Sequence, residues 1–131
     1  MILDQTLDTL RQCWPDLLAV YHFGSTANGQ ATAASDVDLA ILLPGKADAL
    51  DLWHQAQALA TTLGREVDLL DLRAASTVMQ YQIITTGQSL WARDAQAALY
   101  ESFILSEKTA LDTARAGLLH DIEQRGRVYG G

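Results

Sequence analysis

Two aspartates lie inside an apolar run at residues 36–43, DVDLAILL. In a strand, side chains two residues apart project from the same face, so Asp36 and Asp38 would hold two like charges close together. Such a pair is stable only if it is protonated, paired or bridged by a cation, and carboxylate oxygens suit a hard divalent ion such as Mg²⁺. Taken alone the pair is a weak signal, because Asp-x-Asp also occurs at solvated strand ends.

A Gly-Ser pair stands upstream of the aspartates. Gly24 and Ser25 end the apolar run 17–23, where the chain turns into an Ala-rich segment. A glycine lets backbone amides approach a phosphate, and a serine supplies a hydroxyl and an N-cap beside the positive end of a helix. The alternative interpretation is an ordinary turn with a helix cap. Together with the aspartates, the pair favours a site for phosphate and metal.

A third carboxylate is available in the run 66–72, EVDLLDL. If this strand neighbours the DVD strand, one of its acids would complete a three-acid site for two metals, as used in phosphoryl and nucleotidyl transfer. Asp68 and Asp71 both have suitable flanks. Residues three apart face opposite sides of a regular strand, so at most one of them can join the site. We prefer Asp68 and keep Asp71 as the alternative.

Strands and helices alternate along the chain, with Pro15, Gly64 and Gly87 as stop signals. The predicted elements are a helix at 3–13, strands at 17–23 and 36–43, a helix at 47–63, a strand at 66–72, a helix at 75–86, a short edge strand at 89–92 and a long helical region at 94–125. This order predicts an α/β (α+β) fold in which a small mixed β-sheet is flanked by helices and followed by a long C-terminal helical region.

Two of the predicted helices carry apolar spacing. In the helix at 47–63 one face is formed by Leu50, Trp53, Ala56 or Gln57, and Ala60. Apolar residues of the long helical region recur at steps of three and four; they are Tyr100, Phe103, Ile104, Leu111, Ala114, Leu118 and Ile122. This second stripe either covers the sheet or forms an interface with a partner.

Composition limits the possible functions. The chain has 131 residues, a net charge of −7 and one cysteine. We therefore expect one domain with a real core, no internal disulfide and no thiolate zinc cluster. The acidic balance and the isolated Lys and Arg residues argue against binding of long nucleic acid, although a nucleoside triphosphate carried by Mg²⁺ remains compatible. No apolar run is long enough to span a membrane, and the acidic N-terminus is unlike a signal peptide, so we expect a cytoplasmic protein.

The motifs together resemble a known superfamily. Gly24-Ser25, ten residues, then Asp36-Val37-Asp38, followed by a separate hydrophobic-Asp-hydrophobic strand, resembles the nucleotidyltransferases. The short length and the run VDLLDLRAAST with the later SLW are similar to the minimal nucleotidyltransferases, especially the antitoxin halves of HEPN/MNT toxin–antitoxin modules. The resemblance covers about residues 15–92, and the helical region at 94–125 matches loosely. It implies a single minimal nucleotidyltransferase domain over residues 1–131.

The resemblance also implies a reaction and a partner. Antitoxins of this kind transfer AMP from ATP to a hydroxyl, a tyrosine of a HEPN ribonuclease toxin encoded nearby, and so form hetero-oligomers with it. On this comparison Gly24 and Ser25 hold the triphosphate. Asp36, Asp38 and Asp68 are the catalytic carboxylates and bind two Mg²⁺ ions. The alternatives are a small-molecule nucleotidyltransferase and an antitoxin that acts by binding alone.

The chain departs from the family pattern at one position, and one pair of its residues matches the motif of a different family. Many members carry an arginine where this chain has Asn28, so Arg65, Arg73 or Arg93 could supply the missing positive charge. Arg115 and His120 share the Arg-x4-His spacing of HEPN ribonucleases. We interpret that match as chance, since the one helix that remains outside the sheet domain cannot form the helical bundle of a nuclease.

Overall fold

The computed structural model of the chain describes residues 2–24 and 36–129. Its elements are α1 Ile2–Cys13, β1 Ala19–Phe23, β2 Val37–Leu42, α2 Ala49–Leu63, β3 Val67–Asp71, a 3₁₀ turn Leu72–Ala74, α3 Thr77–Thr86, β4 Gln88–Ala92 and α4 Ala95–Tyr129. Each predicted element is present within a few residues of its predicted bounds. The long helical region is one helix, α4, of 35 residues.

The four strands form one mixed sheet in the order β3-β2-β1-β4. β1 runs antiparallel to both β2 and β4, and β3 runs parallel to β2. The predicted mixed sheet, the position of β3 beside β2 and the edge position of β4 are therefore confirmed. Because β1 is antiparallel to its neighbour, its last residue lies at the same end of the sheet as the first residues of β2 and β3.

Helices cover both faces of the sheet. Alternate residues of β2 serve the two sides: Leu39 and Ile41 pack with α1 and α2, whereas Ala40 and Leu42 pack with α3 and α4. A strand that is buried on both faces must be apolar at nearly every position, which explains the continuous run LAILL. An acid in such a strand must either lie where a helix does not cover it or have its hydrogen bonds made inside the fold.

Capping residues fix the helix ends. Asp48 accepts hydrogen bonds from the N–H groups of Leu50 and Asp51 and thereby starts α2. Gly64 ends the helix in the left-handed conformation, with φ 67°, as its predicted cap role requires. Ser76 caps α3 by accepting from the Met79 N–H at 3.1 Å.

The predicted apolar face of α2 is wrong at two of its positions. Leu50 and Trp53 are 61% and 58% exposed, while the helix buries Ala56 and Leu59. Apolar residues occupy most of the circumference of this helix, so spacing alone does not select the face that meets the sheet.

The first half of α4 packs on the sheet and the second half leaves it. Ile104 is buried, whereas Phe103 is 55% exposed and Leu118 is 60% exposed. The Tyr21 hydroxyl of β1 donates to Glu101 at 2.5 Å and ties the helix to the sheet. The predicted stripe therefore covers the sheet only in its first part. No helix among the described residues is long and apolar enough to cross a membrane.

Candidate active site

The end of β1 lies directly against the start of β2. Phe23 pairs with Asp38 in the antiparallel register, and the next residue, Gly24, has a φ of 79°. A Cβ atom on Gly24 would lie 2.2 Å from Oδ2 of Asp38, so any other residue at this position would displace that carboxylate. Only glycine therefore permits both this turn and the position of the Asp38 carboxylate.

Asp38 and Asp68 are neighbours across the sheet. They are partners in the parallel register of β2 and β3, so their side chains project from the same face. Burial raises the pKa of the Asp38 carboxyl above its ordinary value; the charges of Asp68 and then Asp36 raise it further, and His22 acts in the opposite direction. The three acids thus act on one another, and His22 offsets part of their repulsion.

Asp71 occupies a different environment from Asp68. It is 3% exposed, and its carboxylate accepts hydrogen bonds from the N–H groups of Ala47 at 2.8 Å and Arg73 at 3.1 Å. It pairs with Ile41, which belongs to the opposite face of the sheet from Asp38. Asp71 therefore holds the turn after β3, and the structure brings only Asp68 to Asp38.

The donor set fits a hard divalent cation. Asp36 and Asp68 are exposed and Asp38 is partly buried, so carboxylate oxygens with mutual repulsion face a space open to solvent. A cation would offset that repulsion, and oxygen ligands are those that Mg²⁺ prefers. Within residues 2–24 and 36–129, no three His, Cys, Asp or Glu side chains already stand at mutual ligand distance. The metal-binding role of these acids stays a prediction.

Part of the predicted site lies outside the described residues. Ser25, which is predicted to bind the triphosphate with Gly24, and Asn28, which replaces the family arginine, both belong to the segment 25–35. Their predicted roles therefore remain predictions from the sequence.

The three arginines proposed to replace the missing charge lie in different places. Arg73 donates from Nε to the carbonyl of Leu43 and stacks over the Tyr100 ring at 4.6 Å. The backbone N–H of Arg93 donates to Leu18, at the end of the sheet opposite Gly24. Arg65 lies two residues before the first residue of β3, at the Asp68 end, so it is the one of the three at the site's end of the sheet.

A cavity beside Gly24 was not foreseen from the sequence. It has a volume of about 280 Å³ and is lined by Phe23, Gly24 and four residues of α3, namely Met79, Gln82, Ile83 and Thr86. These α3 residues have ordinary helical spacing, and nothing in their types separates a cavity wall from a core face. Only the placement of α3 against the end of β1 could reveal it.

Fold and site together define a class. A mixed sheet that holds a glycine turn against an Asp-x-Asp strand, with a third acid in register on the next strand, has the architecture of a nucleotidyltransferase. The family model described as polymerase beta, nucleotidyltransferase, matches residues 5–96. The chain belongs to this family, as the sequence motifs predicted.

Individual proteins of known name or structure are similar to this chain over most of its length. Protein adenylyltransferase MntA of Shewanella oneidensis is 34% identical over 119 residues, which are 91% of this chain and 86% of that protein. A crystal structure described as a toxin–antitoxin with AMP-PNP matches with a TM-score of 0.81 and 34% identity, over 92% of this chain and 97% of that chain. A structure of tri-AMPylated Shewanella oneidensis HEPN toxin in complex with MNT antitoxin matches with a TM-score of 0.75 and 32% identity, over 94% and 99% of the two chains. The predicted resemblance to MNT antitoxins is confirmed.

Proposed function

We propose that this chain is the antitoxin of a HEPN/MNT pair and that it transfers AMP from ATP to the hydroxyl group of a tyrosine of its partner HEPN ribonuclease. The modification neutralises the toxin. The similarity to a protein named as an adenylyltransferase supports the reaction. The relatives solved with AMP-PNP and with a tri-AMPylated HEPN toxin support ATP as the donor and a HEPN protein as the acceptor. We also propose that residues 1–131 act as one minimal nucleotidyltransferase domain.

One observation in the chain itself carries this proposal. Gly24 leaves room for the Asp38 carboxylate where any side chain would displace it, and Asp68 stands in register with Asp38 on the next strand. A protein that acts by binding alone has no need to keep repelling carboxylates together, because the repulsion lowers its stability. The arrangement therefore favours catalysis over binding alone.

The residues then have separate roles in the transfer. Mg²⁺ ions held by Asp36, Asp38 and Asp68 would neutralise charge on the α-phosphate and lower the pKa of the attacking hydroxyl. Gly24 and Ser25 would bind the triphosphate through backbone amides and a hydroxyl. The acceptor oxygen forms a bond to the α-phosphorus, the bond from that phosphorus to pyrophosphate breaks, and the hydroxyl proton leaves to solvent.

Intact-mass spectrometry tests the proposed reaction. The purified chain is incubated with ATP, Mg²⁺ and the HEPN protein that is encoded beside its gene. The intact mass of the HEPN protein is then measured. We expect the partner to gain the mass of one or more adenylyl groups and its ribonuclease activity to fall. Asp38→Ala should give no mass gain, whereas Asp16→Ala, which removes an exposed carboxylate at the turn before β1, should behave as the unaltered chain. Inhibition of the ribonuclease without any gain in mass would instead establish an antitoxin that acts by binding.

A further inference from the structure

The cavity beside Gly24 has the size of one ring system. Binding sites for whole small molecules begin at about 300 Å³, and this cavity measures about 280 Å³. It shares Gly24 with the proposed triphosphate site, so an occupant of the cavity would be adjacent to that site. A part of the nucleotide fits this space and position, whereas the whole of ATP does not.

The walls of the cavity suit a flat aromatic ring. Phe23, Met79 and Ile83 supply apolar surface from the end of β1 and from one face of α3. Aromatic rings stack favourably on other rings and on thioether groups. Residues 79, 82, 83 and 86 recur at steps of three, one and three, so they form a continuous strip of the helix. A planar base can lie against this strip with its edges toward the polar residues at the rim.

The polar residues at the rim complement an adenine edge. Gln82 is exposed, and its amide offers one donor and one acceptor in the same plane. An adenine edge carries an amino donor beside a ring-nitrogen acceptor, a pattern that a glutamine amide matches with two hydrogen bonds. The Thr86 hydroxyl donates to the backbone carbonyl of Gln82 at 2.6 Å, so toward a ligand this hydroxyl can act as an acceptor.

We propose that the cavity between the end of β1 and α3 binds the adenine base of ATP, with Gln82 bonding to the edge of the base and Met79 packing on its face. This inference rests on the proposed function, because it assumes that Gly24 lies at the triphosphate. It adds a nucleoside-specific subsite that the Gly-Ser and Asp-x-Asp motifs do not contain. Gln82 and Met79 act on the affinity for the nucleoside and have no part in holding the phosphates.

The test compares two probes that share the phosphates and differ in the nucleoside. Calorimetry in Mg²⁺ measures the binding of ATP and of inorganic tripolyphosphate to the full chain and to its variants. Met79→Trp fills the cavity, and Thr85→Trp places the same bulk at an exposed position of α3 that does not line it. Gln82→Ala removes the amide at an exposed position, with Gln5→Ala at an exposed position of α1 as its control. Thermal melting verifies that each variant is folded.

We expect Met79→Trp to weaken ATP binding at least tenfold and Gln82→Ala to weaken it about fivefold to thirtyfold, the value of one to two net hydrogen bonds. Tripolyphosphate affinity should change by less than twofold in both variants, and the control variants should match the unaltered chain. Unchanged ATP affinity in Gln82→Ala and Met79→Trp would overturn the inference, as would equal losses for ATP and tripolyphosphate. A variant that binds ATP normally but has a raised KM for the HEPN acceptor would assign the cavity to the acceptor instead.

The two proposals fail in different ways. If the unaltered chain binds neither ATP nor tripolyphosphate in Mg²⁺, the proposed function falls and the base subsite falls with it. If the unaltered chain binds both probes and modifies its partner while the cavity variants bind ATP normally, only the base subsite is overturned.

Discussion

The two ends of β3 present the same residue type in opposite environments. At its beginning, Asp68 is exposed and faces Asp38 across the sheet. At its end, Asp71 is buried and accepts hydrogen bonds from two backbone N–H groups, those of Ala47 and Arg73. The Asp68 carboxylate lies beside the like charge of Asp38, whereas the Asp71 carboxylate has its hydrogen bonds made by backbone donors.

This difference separates a functional acid from a structural one. A buried carboxylate with its hydrogen bonds made stabilises the fold, because it satisfies donors that would otherwise be buried without partners. Carboxylates that repel one another lower the free energy of unfolding and are kept only where another benefit exists. The comparison therefore predicts that changes at the Asp38–Asp68 end alter activity and that changes at the Asp71 end alter stability.

Removal of the central acid should have the largest effect on activity. Asp38→Ala should lower AMP transfer by more than about a hundredfold, since even outer-shell partners of metal ligands cost 10–100-fold when they are lost. The variant should remain folded, because burial and two like charges already disfavour the ionised carboxylate in the folded chain. Initial rates of partner modification and circular dichroism measure the two quantities. Full activity in an Asp36→Ala, Asp38→Ala double variant would refute the assignment.

Substitution of Gly24 should act through Asp38. In Gly24→Ala the new Cβ would lie 2.2 Å from Oδ2 of Asp38, so the carboxylate must move, and a misplacement of this kind costs on the order of 10²-fold in rate. Transfer kinetics should show the loss, and adding Gly24→Ala to Asp38→Ala should produce no further loss. Independent, multiplying effects of the two changes would show that the glycine acts in some other way. Gly45→Ala is a suitable control because nothing lies within 4 Å of the Cβ atom that it would add.

Removal of the structural acid should mainly affect stability. Asp71→Ala leaves the Ala47 and Arg73 N–H groups without their acceptor, which should lower the free energy of unfolding by about 2–4 kcal/mol. Urea denaturation measures the loss. The transfer rate per folded molecule at low temperature should stay near that of the unaltered chain. Loss of catalysis in a fully folded Asp71→Ala protein would contradict the division between the two ends.

The pH dependence of stability should show the smallest effect. The folded-state pKa of Asp38 is raised by burial and by Asp68 and Asp36, so ionisation of Asp38 costs stability as the pH rises through the carboxyl range. In metal-free buffer Asp38→Asn should therefore melt at a higher temperature than the unaltered chain at pH 7. The difference should shrink as the pH falls through the raised pKa of Asp38 and vanish below 3.8, the ordinary pKa of the carboxyl, where both states are protonated. A lower melting temperature of Asp38→Asn at pH 7 would mean that the Asp38 charge stabilises the fold.

The sequence predicted the fold more fully than the site. Alternating apolar runs with Pro15, Gly64 and Gly87 as stop signals were enough to place the elements seen in residues 2–24 and 36–129, because each stop signal is a local property of the chain. The choice between Asp68 and Asp71 needed the register of β3 against β2, which depends on contacts distant in sequence. The exposure of Leu50 and Trp53 on α2 was missed because that helix is apolar on several sides.

The cavity beside Gly24 shows a second limit of the sequence. Its walls come from residues 23–24 and 79–86, which are far apart along the chain and meet only because α3 packs on the end of β1. Met79 and Ile83 have the spacing of any helix that covers a sheet. Spacing reports which residues share a face, and the shape of the space between two elements follows only from their packing.

Crystals of the chain grown with Mn²⁺ and a non-hydrolysable ATP analogue would decide whether the three acids hold the catalytic metal, since manganese is located by its anomalous scattering. We expect manganese within ligand distance of Asp36, Asp38 and Asp68, with the triphosphate beside Gly24 and Ser25. Manganese bound away from these acids, or a nucleotide bound at another part of the sheet, would contradict the proposed site.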